Sequence, residues 1–447
     1  MVEVSRHEEA FLAPGSQAGE LYERARKVMP GGNSRTTVYQ SPYPPYAAEG
    51  RGAVLIDVDG QARYDFLNNY TSLIHGHADP DITAAVVAQL PRGVAFAMPT
   101  EQEVRLAELL TSRVPSVDQI RFTNSGSEAV MIAIKGARAH TVRGKIMKFE
   151  GCYHGSYDFA EMSMTPPADT WNLAEPPSLP YSAGTPQGVL DNVVISRMND
   201  LALTERLIDR HWRDLAAVLI DPMPMRAGLV PADLSFLLAL REMTRARGIV
   251  LIFDEVIALR SAWGGAQSLL GITPDMTTMG KIIGGGFPVG AVGGSAEVMS
   301  AFDPRHGPTK APHGGTFNAN PITMAAGLAA MEKMTPAEYD RLATLGAHLR
   351  EALAEALDGA RIPGQVTGAG SLFQIHLHDR PIRDYRGSVP AGEERTRVAT
   401  LHRGLMAHGI ITAPSLMGCL STPMGTMEID AFVNAFTEAA LDVQGGG

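Results

Sequence analysis

Three short apolar runs constrain the fold of this 447-residue chain more than any other feature: GKIMKF (144–149), LAAVLI (215–220) and GIVLIF (248–253). Each reads as a strand buried on both faces. Longer helical patterns lie between them, such as LSFLLALREMTRARG (234–248), which ends at a glycine directly before the third run. Strands alternating with helices predict an α/β chain with a mostly parallel sheet covered on both faces. The pattern changes after NANPITMAAGLAAMEKM (318–334). EYDRLATLGAHLREALAEAL (338–357) is amphipathic and helical, and SLFQIHLH (371–378) alternates like a half-exposed strand. We therefore expect an N-terminal segment (1–70) joining a small domain, a large domain over 71–328, and a smaller α+β domain over 329–447. Residues 166–186 hold six prolines and predict an irregular loop.

The composition excludes several classes of function. A net charge of −10 without a basic run gives no footprint for nucleic acid or an anionic membrane. The two cysteines, Cys152 and Cys419, support neither a disulfide framework nor a cysteine-rich metal site, and fit a reducing cytoplasm. The N-terminal stretch MVEVSRHEEAFLAPG has acids and no apolar core, so it does not read as a secretory signal.

Chemistry is suggested by GKIIGGGFPVGAVGG (280–294), which sets one lysine against a run of glycines. The phosphate-loop order fails because Lys281 precedes the glycines, and the dinucleotide pattern fails because Val289 stands where its third glycine belongs. A nicotinamide oxidoreductase is disfavoured on that ground. The remaining reading gives the lysine itself a role as nucleophile, with glycines permitting close approach. Asp254 ends the run LIFD, and a strand-like DMTTMG (275–280) leads directly to Lys281, so both side chains are predicted at one rim of the sheet. In TNSGSEA (123–129), Ser125 and Glu128 form a capping box, and Gly126 and Ser127 offer N–H groups at a positive helix end suited to a phosphate. EGCYHG (150–155) presents Tyr153 and His154 after a strand, an aromatic able to stack on a flat ligand. A lysine, a carboxylate, a phosphate cradle and an aromatic plate share one economical explanation, pyridoxal 5'-phosphate.

The motifs TNSGSEA, CYHG, DEV, GKIIGGGFPVGA and GGTFNANP stand in the order and spacing of the class III, fold type I pyridoxal-phosphate aminotransferases, which this chain resembles. PGGNSR (30–35) resembles the branch that contains glutamate-1-semialdehyde aminomutase and the β-amino-acid (β-phenylalanine) aminotransferases. The resemblance implies that Lys281 forms a Schiff base with the cofactor and moves a proton, and that Asp254 pairs with the pyridine nitrogen. It implies Val256 beneath the ring and Tyr153 on its opposite face, with His154 and Asp221 also at the cofactor. Ser125, Gly126 and Ser127 would hold the phosphate, joined by Thr316 from the other subunit of a homodimer with shared sites. It implies an amino donor and a keto-acid acceptor as substrates, with Arg35 on a donor carboxylate and Tyr39, Tyr70, Leu416 and Met417 around the apolar remainder.

Some positions depart from the pattern. Asp221-Pro222 replaces the family's Glu-Pro. Arg226 stands where a small or amide residue is usual, and is a second candidate for a carboxylate. Ala258 and Leu259 replace a Thr-Gly pair. The segment ITAPSLMGCLS (411–421) carries neither the glutamate of the aminomutases nor the arginine of many aminotransferases. The sequence therefore predicts ping-pong amino transfer from a β-amino acid or related amine. Aminomutase and racemase chemistry on the same cofactor are the alternatives.

Overall fold

The computed structural model describes residues 10–305 and 307–445; the first nine residues of the expected N-terminal segment and the last two of the chain lie outside them. A seven-stranded sheet has the order Gln119–Thr123, Gly290–Gly294, Met276–Gly280, Val250–Asp254, Leu215–Ile220, Lys145–Phe149, Val193–Ser196. Gly290–Gly294 runs antiparallel to both its neighbours, and the other pairings are parallel. The three apolar runs are three of its strands, and every residue of Leu215–Ile220 and Val250–Asp254 is buried.

Alternation along the central strands explains why they are apolar throughout. Ala217, Leu219 and Ile252 face one core, where Val130, Ile134 and Ala137 of helix Gly126–Thr141 cover them. Val218, Ile220, Leu251 and Phe253 face the opposite core, closed by Leu203 and Leu207 of helix Leu201–His211 and by Phe236 and Leu240 of helix Leu234–Ala246. Successive side chains of a strand point to opposite faces, so a sheet with helices on both sides needs no polar face.

Two smaller sheets flank this one. Ala47–Arg51, Val54–Asp57 and Ala62–Asp65 form an antiparallel meander, to which Ile410–Ile411 adds in parallel with Ile410 opposite Tyr64. Gln365–Thr367, Leu372–His376 and Met417–Cys419 form the third, packed with helices Pro336–Gly359 and Thr426–Gly445 through Leu349, Leu353, Phe373, Ile375, Phe432 and Phe436. The strand expected to be half exposed is buried at all five positions. Its polar members Gln374 and His376 turn inward, where Gln374 Nε2 donates to Ser415 O and His376 Nε2 lies 3.1 Å from Thr367 Oγ1. The alternation came from Gln374, His376 and His378, which are buried as well; the first two keep a hydrogen bond each inside the core.

The proline-rich loop is irregular apart from the turn Ala168–Thr170. It is pinned where Ser163 N donates to Leu179 O and Leu179 N donates to Ser163 Oγ. Among the described residues no helix is long and apolar enough to cross a membrane.

Candidate active site

A cavity of about 350 Å³ opens at the carboxyl ends of the large sheet, and its lining includes Ser125, Gly126, Ser127, Tyr153, His154, Asp221, Asp254, Val256 and Lys281. Five different strand ends deliver these side chains to one rim, where ligands of open α/β sheets bind. The nine residues predicted for the cofactor on this subunit are thereby brought together by strands far apart in sequence.

Asp254 is the last residue of its strand and is held on three sides. Its Oδ2 is 2.8 Å from His154 Nδ1, and its Oδ1 accepts from Thr278 Oγ1 at 2.9 Å and from Val256 N at 3.2 Å. His154 is fully buried; burial lowers its pKa, against the pull of Asp254. A neutral ring donating Nδ1–H to Asp254 leaves Nε2 as an acceptor, and that atom is buried without a partner. Asp221 accepts from Met223 N at 2.9 Å. Burial, and then the nearby Asp254, raise its pKa well above the carboxylate range.

Lys281 follows strand Met276–Gly280 with a left-handed backbone, φ +50°. Its amine makes one long hydrogen bond, 3.4 Å to Thr71 Oγ1. Burial lowers its pKa from 10.5 to about 8; Asp254 opposes that shift and Arg260 adds to it. The shift raises the unprotonated fraction near neutral pH, and the unprotonated form is what a lysine nucleophile requires. The glycines that follow serve two purposes. A Cβ on Gly285 (φ +58°) would come 2.4 Å from Ala326 O, so the turn packs closely on helix Pro321–Lys333, whereas Gly286 lines the cavity.

The N-terminus of helix Gly126–Thr141 is the cavity's anion-binding end. Ser125 Oγ accepts from Glu128 N, while Glu128 Oε2 reaches Asn124 N, one residue earlier than the N-cap N–H of the usual box. Gly126 and Ser127, in the first turn, have no intrahelical acceptor for their N–H groups. Ser127 Oγ accepts from Ser156 N at 3.0 Å, and a Cβ on Gly155 (φ +85°) would lie 2.4 Å from that same oxygen. A half-buried amine with a lowered pKa, a space walled by Tyr153 and Val256, an anchored carboxylate and a free helix N-terminus together fit pyridoxal 5'-phosphate.

The remaining predicted residues lie elsewhere. Leu416 and Met417 do not line the cavity: they are 0% and 1% exposed and belong to two apolar cores. Contact of that loop with an apolar substrate group is therefore corrected; these side chains hold the small sheet in place. Tyr39 and Tyr70 line a separate hollow of about 210 Å³ with Thr37, Leu67 and Ile411, and Tyr70 Oη donates to Thr37 O. Arg226 also does not line the cavity; its Nη2 donates to Thr165 Oγ1 at 3.0 Å, next to the proline-rich loop. Thr316 lies in a surface hollow with Phe96, Met98 and Asn318. Arg35 is exposed, and its Nη1 donates to Oδ1 of Asn69, a cavity residue, at 2.8 Å.

Sequence reasoning missed Asn69, Ser72, Asn124 and Phe287 in the lining, and Thr71 and Thr278 behind it. Thr278 carried a signal, because in the parallel register it stands beside Asp254. The pair Asn68-Asn69 carried another, since asparagine is the side chain that best tolerates positive φ.

This fold and this cavity define a fold type I pyridoxal-phosphate enzyme. Residues 38–424 match the family described as aminotransferase class-III. The chain is 39% identical over 401 residues to glutamate-1-semialdehyde 2,1-aminomutase 2 of Brevibacillus brevis, covering 89% of this chain and 91% of the relative. Among solved structures, an omega-transaminase from Sphaerobacter thermophilus superposes with a TM-score of 0.95 at 64% identity, over 98% of this chain and 100% of that one. A β-phenylalanine aminotransferase from Variovorax paradoxus superposes with a TM-score of 0.84 at 36% identity, over 95% and 93%. The chain belongs to the class III aminotransferases, and it is a pyridoxal-phosphate-dependent transaminase.

Proposed function

We propose that the chain transfers an amino group from a β-amino acid or a related amine to a keto acid by a ping-pong reaction, with Arg35 binding the donor's carboxylate. The observation that carries this reading is the Arg35–Asn69 hydrogen bond at 2.8 Å. It tethers a guanidinium to the wall of the cavity and occupies one of its five N–H donors, leaving the rest for a carboxylate. The likeness to a β-phenylalanine aminotransferase and an omega-transaminase supports the same direction.

Pyridoxal phosphate, when bound, supplies the electron sink and the amino-group carrier. The residues of the chain do the rest. Gly126 and Ser127 bind the phosphate with their N–H groups. Asp254, oriented by His154 and Thr278, keeps the pyridine nitrogen protonated. Tyr153 and Val256, both in the cavity wall, would bound the ring. Lys281 would hold the cofactor and, when its amine is free, would move the substrate proton. Thr316 completes the phosphate site from a second copy of the chain. The exposed side chains of Phe96 and Met98 in its hollow, and of Phe317 next to Thr316 in the chain, form the apolar face that such a two-fold dimer buries. A concentration-independent dimer in sedimentation, lost on replacing Met98 and Phe317 by charged residues, is the expected result.

A second reading, intramolecular amino transfer, is favoured by the names of the curated relatives. Against it, Leu416, Met417 and Cys419 fill the segment where the aminomutases carry a glutamate, and all three are buried. Donors screened against pyruvate and 2-oxoglutarate separate the two: a ping-pong transaminase releases more than one equivalent of free keto product per site only when acceptor is present. Multiple turnovers of a single substrate without acceptor overturn the proposal.

A further inference from the structure

Residues Asn68, Asn69, Tyr70 and Thr71 form one left-handed turn, with φ values of +48°, +47°, +54° and +71°. No glycine relieves it. Left-handed backbone is ordinarily visited by single residues, and a run of four persists only where its surroundings over-determine it. Asp65 fixes the start: its Oδ1 accepts from Leu67 N at 2.9 Å and Asn68 N at 2.8 Å. Asn68 Nδ2 donates to Cys419 O at 3.1 Å. Arg260 fixes the end. Its Nη1 donates to Thr71 O at 2.9 Å, its Nη2 to Leu420 O at 2.6 Å and its Nε to Ser371 Oγ at 3.1 Å.

Arg260 is 1% exposed, and among the described residues no carboxylate pairs with it. A buried cation held on neutral acceptors is an expensive way to tie three segments together, because no direct ion pair offsets the loss of its hydration. What distinguishes its position is the turn it holds. Asn69 and Ser72 line the cavity, and Thr71 Oγ1 is the hydrogen-bond partner of Lys281 Nζ.

We propose that Arg260 is a positioning residue for Lys281: it clamps the left-handed turn so that the Thr71 hydroxyl receives the lysine amine, and it supplies a positive charge without an ion-pair partner to that amine's surroundings. The other groups acting on Lys281 are the carboxyls of Asp254 and Asp221 at the strand ends and the Cys419 thiol of the small sheet, and each of these favours the protonated amine. His154, bonded to Asp254, is buried and neutral. Arg260 is the group that opposes them.

The inference rests on Lys281 as the cofactor-bearing lysine, so borohydride labelling of the holoenzyme comes first; label on another peptide defeats that reading rather than the role of Arg260. The test itself follows the visible absorbance of the lysine-bound cofactor against pH, with kcat, KM and melting temperature. Arg260→Gln should raise the spectral midpoint by about one pH unit and lower kcat about tenfold with little change in KM. Arg260→Lys keeps the charge without the planar fork, so its midpoint should stay near that of the parent while kcat falls. Thr71→Val leaves the carbonyl clamp intact and removes the hydroxyl; it should lower kcat about tenfold at an unchanged midpoint, and it carries the test if Arg260→Gln does not fold. An Arg260→Gln midpoint equal to the parent's, with only the melting temperature reduced, assigns Arg260 to structure alone. A Thr71→Val enzyme with parental kcat overturns the proposal equally.

Discussion

His154 and Asp254, 100 positions apart in the chain, meet at 2.8 Å between Nδ1 and Oδ2. The contact joins the turn after one strand to the end of another, and it converts a solitary carboxylate into a fixed one. With Thr278 Oγ1 and Val256 N on its other oxygen, Asp254 has little freedom to turn away from the cavity. A preoriented charge needs no reorganisation when the reaction calls on it.

Asp254→Asn keeps the size and loses the charge. Cofactor should remain bound, with its visible band retained, while turnover falls roughly a hundredfold or more, because a neutral partner no longer favours a protonated pyridine nitrogen. Steady-state kinetics beside an absorbance spectrum check this; near-parental turnover would show the acid to be structural.

Borohydride reduction of the holoenzyme should fix the cofactor to the peptide containing Lys281, as read by mass spectrometry. Lys281→Ala removes both the anchor and the mobile proton carrier, so activity should drop by about four orders of magnitude or more. Label found on a different lysine would remove Lys281 from the mechanism.

Arg35→Ala should cost carboxylated donors about ten- to a hundredfold in kcat/KM while leaving simple amines nearly unaffected, because one charge-assisted pair is lost at a partly solvated site. Asn69→Ala should show a smaller loss of the same selectivity, since it frees the guanidinium without removing it. If both donor types suffer equally, Arg35 supports the fold or the dimer instead.

Acid should destabilise the chain through His376. Burial, and then the neighbouring His378, hold its pKa at about 4 against 6.5 when free. As pH falls from 6.5 the unfolded chain binds the proton first, so the stabilising difference is complete above about 6.5 and is lost progressively down to about 4. Between pH 7.5 and 5 this one group should remove about 1–2 kcal/mol, and His376→Gln should flatten that part of the stability curve. Denaturant titrations at the two pH values measure it. An unchanged slope in the variant would place the acid sensitivity elsewhere.

The apolar runs at 144–149, 215–220 and 248–253 were sufficient to predict a parallel sheet buried on both faces, because that environment accepts apolar side chains at every position of a strand. The motifs around Ser125, Tyr153, Asp254 and Lys281 were legible for a related reason: each sits where a strand or helix ends, and local chemistry dictates such ends. Alternation misled at 371–378, since a buried strand admits Gln374 and His376 once partners exist for them, and partners are not visible in a linear pattern. The same reason hid the rest of the site. The inward burial of Leu416 and Met417 depends on pairing with a strand about forty positions away, and the clamp of Arg260 on the left-handed turn and the meeting of Thr71 with Lys281 depend on contacts across at least 160 positions. Propensity and periodicity act over a few residues; the placement of an amine, a hydroxyl and a guanidinium at one rim is decided only when distant segments pack.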